Sequence, residues 1–253
     1  GIRESTIKEF TKCMNTDPRE GMYTFEQPKI KSITDFRLED GKGCFITGLA
    51  GTGKSYKTNQ LKASLQPSQY VCCTPTHKSA LIVNGQTIYN VFNINPHDHT
   101  YIKGTVDKLK KNGLQWVFID EISMINSKCW AVLRDIKKVY KFKFILVGDF
   151  GQLDPVEEKV YDVLHSDVFA ELCDFQKMEL TKNWRAEKDP EFKLFIDDLI
   201  KVRDGCEIDF STYGKKDCRK LLAWTNMTRN IVNNKWMLKE SEGKQCYILN
   251  YKK

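Results

Sequence analysis

Four short runs of apolar residues, each closing on small or polar positions, punctuate the first part of the chain: Cys44–Thr47, Tyr70–Cys73, Trp116–Ile119 and Phe144–Val147. Uninterrupted runs of this length suit strands buried on both faces, as in a parallel sheet. Between them the pattern turns helical. Lys54–Leu65 is followed by Pro67, Pro75–Asn84 is stopped by Gly85, and Ser127–Tyr140 sets Trp130, Leu133, Ile136 and Tyr140 at helical spacing. Beyond them Phe192, Phe195, Ile196, Leu199 and Ile200 form an amphipathic stripe ended by Gly205. This alternation predicts an α/β, doubly wound domain that binds its ligand at the carboxyl ends of the strands. One segment breaks the rhythm. Residues 93–113 are polar and lysine-rich, as expected of a functional excursion or a loop. Residues 1–42 are weakly patterned and are read as a helical lead-in.

Composition narrows the class. The 253 residues provide for one large domain, or a domain plus part of another. With 41% hydrophobic and 29% charged residues, the chain reads as globular, neither disordered nor fibrous. No stretch approaches the roughly 20 apolar residues that span a bilayer, and the N-terminus does not resemble a signal peptide. The nine cysteines are odd in number and include no CxxC pair. Reduced thiols in an intracellular compartment, cytoplasm or nucleus, are the simpler reading. The net charge of +7 is uneven, since Tyr213–Lys253 carries 10 Lys+Arg against 3 Asp+Glu. That surplus suits either a solvated face or a polyanion contact.

Chemistry concentrates where the apolar runs end. Gly48-Leu49-Ala50-Gly51-Thr52-Gly53-Lys54-Ser55 follows the first run and opens a helix. Gly48, Gly51, Thr52 and Gly53 build a tight loop whose backbone N–H groups cradle phosphates, and the helix N-terminus adds positive partial charge. Lys54 reaches the β- and γ-phosphates and Ser55 ligates magnesium. Asp120-Glu121 closes the third run, with Asp120 assigned to the metal and Glu121 to the attacking water. Gly148-Asp149-Phe150-Gly151-Gln152 closes the fourth, and Gln152 is the candidate sensor of the γ-phosphate or the lytic water. ATP and Mg2+ are the ligands this set implies.

Taken in order, these blocks resemble the first RecA-like domain of superfamily-one DNA helicases, in the branch that holds RecD, Dda and the Pif-type enzymes. Gly48–Ser55 resembles motif I, Thr74–Ala80 motif Ia, Gln86–Phe92 motif Ib, Val117–Met124 motif II, Val147–Val156 motif III and Leu180–Ala186 motif IV. The blocks cover most of 43–205, which the resemblance makes a RecA-like P-loop ATPase domain with a largely parallel sheet. It implies that Arg185 meets the γ-phosphate as charge develops, a task suited to a planar, permanently ionised fork. It also makes Gln27 the candidate for adenine recognition. Motifs Ia and Ib imply a nucleic-acid track of Thr74, Pro75, Thr76, His77, Thr87, Tyr89 and Phe92, combining phosphate contacts with aromatic platforms. Tyr89 stands where that branch often has histidine.

By the same resemblance, 93–113 is expected to be a pin or wedge that splits duplexes, and 206–253 the start of a truncated second RecA-like domain. The implied function is ATP-driven 5′-to-3′ movement on single-stranded DNA with duplex unwinding. Single strands and duplex junctions are the expected partners, with replication or repair proteins, in a monomer. Half a motor is expected to bind nucleotide weakly and hydrolyse it slowly. Two alternatives stand beside this reading: the helicase domain of an RNA-virus replicase, and a nucleotide-gated binding module that does not translocate.

Overall fold

Seven strands form one sheet in the computed structural model, which describes residues 29–151, 163–203 and 206–207. They are β1 (Lys31–Ile33), β2 (Cys44–Thr47), β3 (Tyr70–Thr74), β4 (Gln86–Thr87), β5 (Trp116–Ile119), β6 (Lys143–Val147) and β7 (Gln176–Glu179). Their order is β1-β7-β2-β6-β5-β3-β4, and every pairing is parallel. The register sets Phe45 opposite Leu146, Phe118 opposite Ile145 and Cys72 opposite Phe118. All four residues of β5 are buried, as the unbroken apolar run requires of a strand covered on both faces. The chain divides into two units, Gly1–Asp204 and Gly205–Lys253, and the sheet belongs to the first. Gln27, Gln152 and all but two residues of the expected second-domain segment lie outside the described residues.

Seven helices connect the strands: α1 (Lys54–Ala63), α2 (His77–Ile82), α3 (Ile88–Phe92), α4 (Lys103–Lys111), α5 (Ser127–Tyr140), α6 (Asp167–Leu172) and α7 (Pro190–Arg203). Local chemistry sets their ends. The side chains of Thr76, Thr87, Asn126 and Ser166 each accept a backbone N–H of the first turn of α2, α3, α5 and α6. The helix expected from Pro75 therefore starts two residues later, because Thr76 is its cap.

Two apolar clusters sandwich the sheet. The larger packs Phe45, Val117, Ile119, Phe144 and Leu146 against α3–α6, with Trp130 and Phe169 meeting edge to face at 5.6 Å between ring centres. The smaller packs Cys44, Ile46, Phe118, Ile145 and Val147 against Leu61 of α1 and against Phe36, Leu38 and Met178.

Two expectations change. The described part of the lead-in is not helical: β1 pairs with β7, a single 3-10 turn spans Leu38–Asp40, and Phe36 and Leu38 join the core. Within 93–113 the excursion is confined to a hairpin. An antiparallel bridge joins Ile94 to Tyr101, and the intervening Asn95, Pro96, His97, Asp98 and Thr100 are exposed. The rest is domain wall, since Val106 is a core residue, Leu109 packs against the core and the Tyr101 hydroxyl donates to Asp135 at 2.9 Å. Period-3.6 burial in α4 is hard to see in a lysine-rich sequence whose long side chains keep their heads in water. Among the described residues, no helix is long and apolar enough to cross a membrane. Six cysteines described, Cys44, Cys72, Cys73, Cys129, Cys173 and Cys206, are free thiols, and burial pushes Cys44 and Cys129 up to about 12.

Candidate nucleotide-binding site

The carboxyl ends of β7, β2, β6 and β5 are neighbours in the sheet, so residues far apart in sequence converge there. The loop after β2 carries Gly48, Gly51 and Gly53, all with φ between +89° and +143°. Such angles suit glycine alone, and they turn successive N–H groups toward a common centre. Space enforces the same choice at Gly51, where an added Cβ would lie 2.6 Å from Asn183 Oδ1 and 2.9 Å from Arg185 Cβ. Thr52 is buried and its hydroxyl donates to the Leu49 carbonyl at 2.8 Å. It braces the loop from within, and its backbone N–H donates to the same carbonyl at 3.3 Å.

Lys54 opens α1, and its ammonium donates to the carbonyls of Gly48 at 2.6 Å and Leu49 at 3.1 Å. Burial lowers its pKa, opposed by the negative charges of Asp149, Asp120 and Glu121. The three carboxylates therefore act on this one cation. Asp120 ends β5 and accepts the Glu121 N–H at 2.9 Å. Burial raises the Asp120 carboxyl, against the pull of that N–H and of Lys54 and Lys62. Glu121 is raised by burial and then by its neighbour Asp120. Glu121 also has φ 57° and ψ 45°, a left-handed conformation uncommon for a non-glycine residue. Held strain of this kind concentrates at working sites.

Ser55, Asp120 and Glu121 line one cavity of about 810 Å³, together with Thr58, Asn59 and Lys62 of α1. A hydroxyl and a carboxylate facing the same space are hard oxygen donors, the chemistry that holds Mg2+ alongside phosphates and water. The residues present fit that ion. Ser55, Asp120 and Glu121 are thus brought to one cavity, and Lys54 lies within electrostatic reach of both carboxylates.

Three further residues belong here that sequence reading did not single out. Asp149 follows β6, accepts the Gly151 N–H at 2.9 Å and faces Lys54. Asn183 donates to the Ala50 carbonyl at 3.0 Å, and its Oδ1 accepts the backbone N–H groups of Arg185 and Ala186. Trp184 donates its backbone N–H to Gly51 at 3.0 Å, and its ring, 58% exposed, flanks Gly53. The Lys182 ammonium sits 3.8 Å from the centre of that ring. Arg185, exposed, is thereby delivered to the rim of the loop. The signal for Asn183 and Trp184 is their place immediately before Arg185, which gives no hint of contact with Ala50 and Gly51.

The candidate track at β3 and β4 comes out differently. Thr74 is 0% exposed and its hydroxyl donates to the Thr76 carbonyl at 2.9 Å. Thr76 and Thr87 spend their side-chain oxygens as caps, accepting from Ser79 and Asn90 at 3.2 Å each. Phe92 is 0% exposed in the core, so it is a packing residue and not a stacking platform. Of the seven residues, His77 alone is fully exposed, while Pro75, Thr76 and Tyr89 are half-buried.

A parallel sheet with a glycine loop, a carboxylate pair and an arginine at adjoining strand ends defines a P-loop NTPase of RecA-like α/β fold. The PIF1-like helicase profile matches residues 23–212, and the chain belongs to that family. It is similar to the ATP-dependent DNA helicase Pif1 of Bdellovibrio bacteriovorus, 30% identical over 194 residues that cover 70% of this chain and 43% of that protein. Among solved structures, Pif1 helicase from Candida albicans superposes with a TM-score of 0.65 at 22% identity, over 84% of this chain and 53% of the other. Bacteroides Pif1 bound to single-stranded DNA gives 0.50 at 25% identity, over 61% and 42%. The chain spans less than half the length of the Bdellovibrio relative.

Proposed function

We propose that this chain is the first motor domain of an ATP-dependent DNA helicase that couples ATP hydrolysis to 5′-to-3′ movement on single-stranded DNA and to unwinding. The observation that carries the reading is the convergence of Ser55, Asp120 and Glu121 on one cavity, with Lys54 of the glycine loop within electrostatic reach of both carboxylates. In this reading the loop N–H groups and Lys54 hold the β- and γ-phosphates. Ser55 and Asp120 hold Mg2+, which supplies charge neutralisation on the phosphates when bound. Glu121 orients the attacking water, and its strained backbone fixes the carboxylate direction. Arg185, delivered by Asn183, approaches the transferring group, and the Trp184 ring offers a flat apolar face to the base. The Bdellovibrio relative's name supports ATP as fuel, and the Bacteroides complex supports single-stranded DNA as the track. The exposed Asn95–Thr100 hairpin suits the wedge at a duplex junction.

The test uses the protein that carries this chain. Duplexes with a 5′ or a 3′ single-stranded tail are offered with ATP and Mg2+, for the wild type and for Lys54→Ala. The 5′-tailed substrate alone should be unwound, and Lys54→Ala should lose both unwinding and nucleotide affinity. Unchanged cellular function in Lys54→Ala would replace the motor with a binding module that does not translocate.

A further inference from the structure

The strongest feature that the phosphate chemistry leaves unexplained is a polar relay inside the domain. Asn126, the cap of α5, accepts the Cys129 N–H at 2.8 Å with its oxygen and donates its amide nitrogen to the Tyr89 hydroxyl at 3.0 Å. The same hydroxyl lies 3.3 Å from His99 Nε2. His99 belongs to the Asn95–Thr100 hairpin, is 8% exposed, and is held at φ 57°. Its own loop locks it there. The His99 N–H donates to Asn95 O at 2.9 Å, the Asn95 N–H to Thr100 O at 2.8 Å, and Asp98 accepts from both the N–H and the hydroxyl of Thr100.

At the other end Asn126 is joined to the carboxylate pair by a short stretch of chain. Four residues separate Glu121 from Asn126 in sequence, and three of them, Ile122–Met124, form a single 3-10 turn. Ile122, Ser123 and Ile125 are buried, and Ile122 fills the space beside Gly148, where an added Cβ would lie 2.7 Å from Ile122 Cγ1. A segment packed this closely has no slack, so a displacement at Glu121 is passed on to Asn126. Within the relay, Tyr89 is the one residue that touches both the α5 cap and the hairpin.

We propose that Tyr89 is a positioning residue that joins the nucleotide site to the Asn95–Thr100 hairpin, so that occupancy of the Asp120–Glu121 pair sets the hairpin's placement through Asn126, the Tyr89 hydroxyl and His99. The proposal rests on the nucleotide reading above. It gives the aromatic at this position a task that stacking on a base does not describe, and it accounts for a hydroxyl between an amide donor and an imidazole.

The four histidines make the relay observable, because His99 can be assigned against His77, His97 and His165 in the chain labelled at its imidazole carbons. Imidazole spectra are recorded with and without Mg2+ and ADP, while affinity is measured in parallel with a fluorescent ADP. The wild-type His99 resonance should move on nucleotide addition. In Tyr89→Phe, which keeps the ring and removes the hydroxyl, that movement should fall about fivefold or more while affinity stays within about twofold. Asn126→Ser, which retains a capping oxygen but does not reach Tyr89, should behave alike. An undiminished His99 response in both variants overturns the proposal, as does a wild-type His99 that stays still when nucleotide is bound. Failure of the wild-type chain to bind ADP at all would instead remove the nucleotide reading, and the relay with it.

Discussion

Two neighbouring sets of strand ends in this sheet differ in how they use polar groups. At β2, β6 and β5 charged side chains gather at one place, with only part of their hydrogen-bonding capacity used on the loops that carry them. Lys54 feels the charges of Asp149, Asp120 and Glu121, both members of the carboxylate pair are pushed toward their neutral forms by burial, and Glu121 sits in a left-handed conformation. At β3 and β4 the hydroxyls of Thr74, Thr76 and Thr87 already close turns and cap helices. The first region stores unfavourable electrostatics that a polyphosphate and its cation relieve. The second is satisfied as it stands, and on the proposed track a strand of nucleic acid would meet its shape, its backbone and His77. The contrast implies that nucleotide binding is built into side chains, whereas the track depends on surfaces that the scaffold presents.

Four substitutions test that contrast, in order of falling effect. Glu121→Gln keeps size and hydrogen bonding but loses the charge that directs water. ATP turnover should drop by roughly 10²–10⁴, with nucleotide affinity nearly unchanged. Equal losses in both would place Glu121 in binding only. Phe92→Ala should cost about 3–5 kcal/mol of stability by opening a cavity in the larger cluster, read from denaturant unfolding. A variant of full stability with weakened DNA binding would restore Phe92 to the track.

Asp120→Asn is the third. Burial raises the folded-state pKa of Asp120 above its usual 3.8, so the native state holds that proton more tightly than the unfolded chain. Stability is then lost as pH rises through the window between the two values, and the loss persists above it. Asparagine removes that penalty. The nucleotide-free variant should melt higher at neutral pH, an effect that vanishes near pH 4, while losing its dependence on Mg2+ for nucleotide binding. A lower melting temperature would mean that the pull of Lys54 and Lys62 outweighs burial. The smallest effect is expected of Thr74→Val, which should leave single-stranded DNA affinity within about twofold and slightly destabilise the turn it closes.

The same contrast explains what could be read from the chain. Gly48–Ser55 and Asp120–Glu121 are legible because a loop that wraps phosphates must be contiguous and because a carboxylate pair after a buried strand has few structural uses. The doubly wound sheet is legible from β2, β3, β5 and β6, whose apolar runs admit no other environment. β1, β4 and β7 are not: they are short, partly exposed edge or second-rank strands, and Gln176–Glu179 alternates too weakly to announce itself. Asn183 escapes notice because its partner Ala50 lies 133 positions away, and only the fold brings them together. The threonines mislead for a chemical reason. A hydroxyl that caps a helix and a hydroxyl that meets a phosphate occupy the same kind of position, just after a strand and before a helical turn. Phe92 misleads similarly, because an aromatic beside a track motif packs inward or outward according to helix phase, and here α3 turns it into the core.

The central claim is that loop, carboxylates and the Asn183–Arg185 segment close around one nucleotide. Backbone hydrogen exchange of the chain, followed with and without Mg2+ and a non-hydrolysable ATP analogue, tests it most directly. The account predicts slowed exchange in three separate stretches, 48–55, 120–124 and 183–186, all titrating with one affinity and all lost in Lys54→Ala. Slowing confined to other parts of the sheet, or unequal affinities for the three stretches, would contradict it.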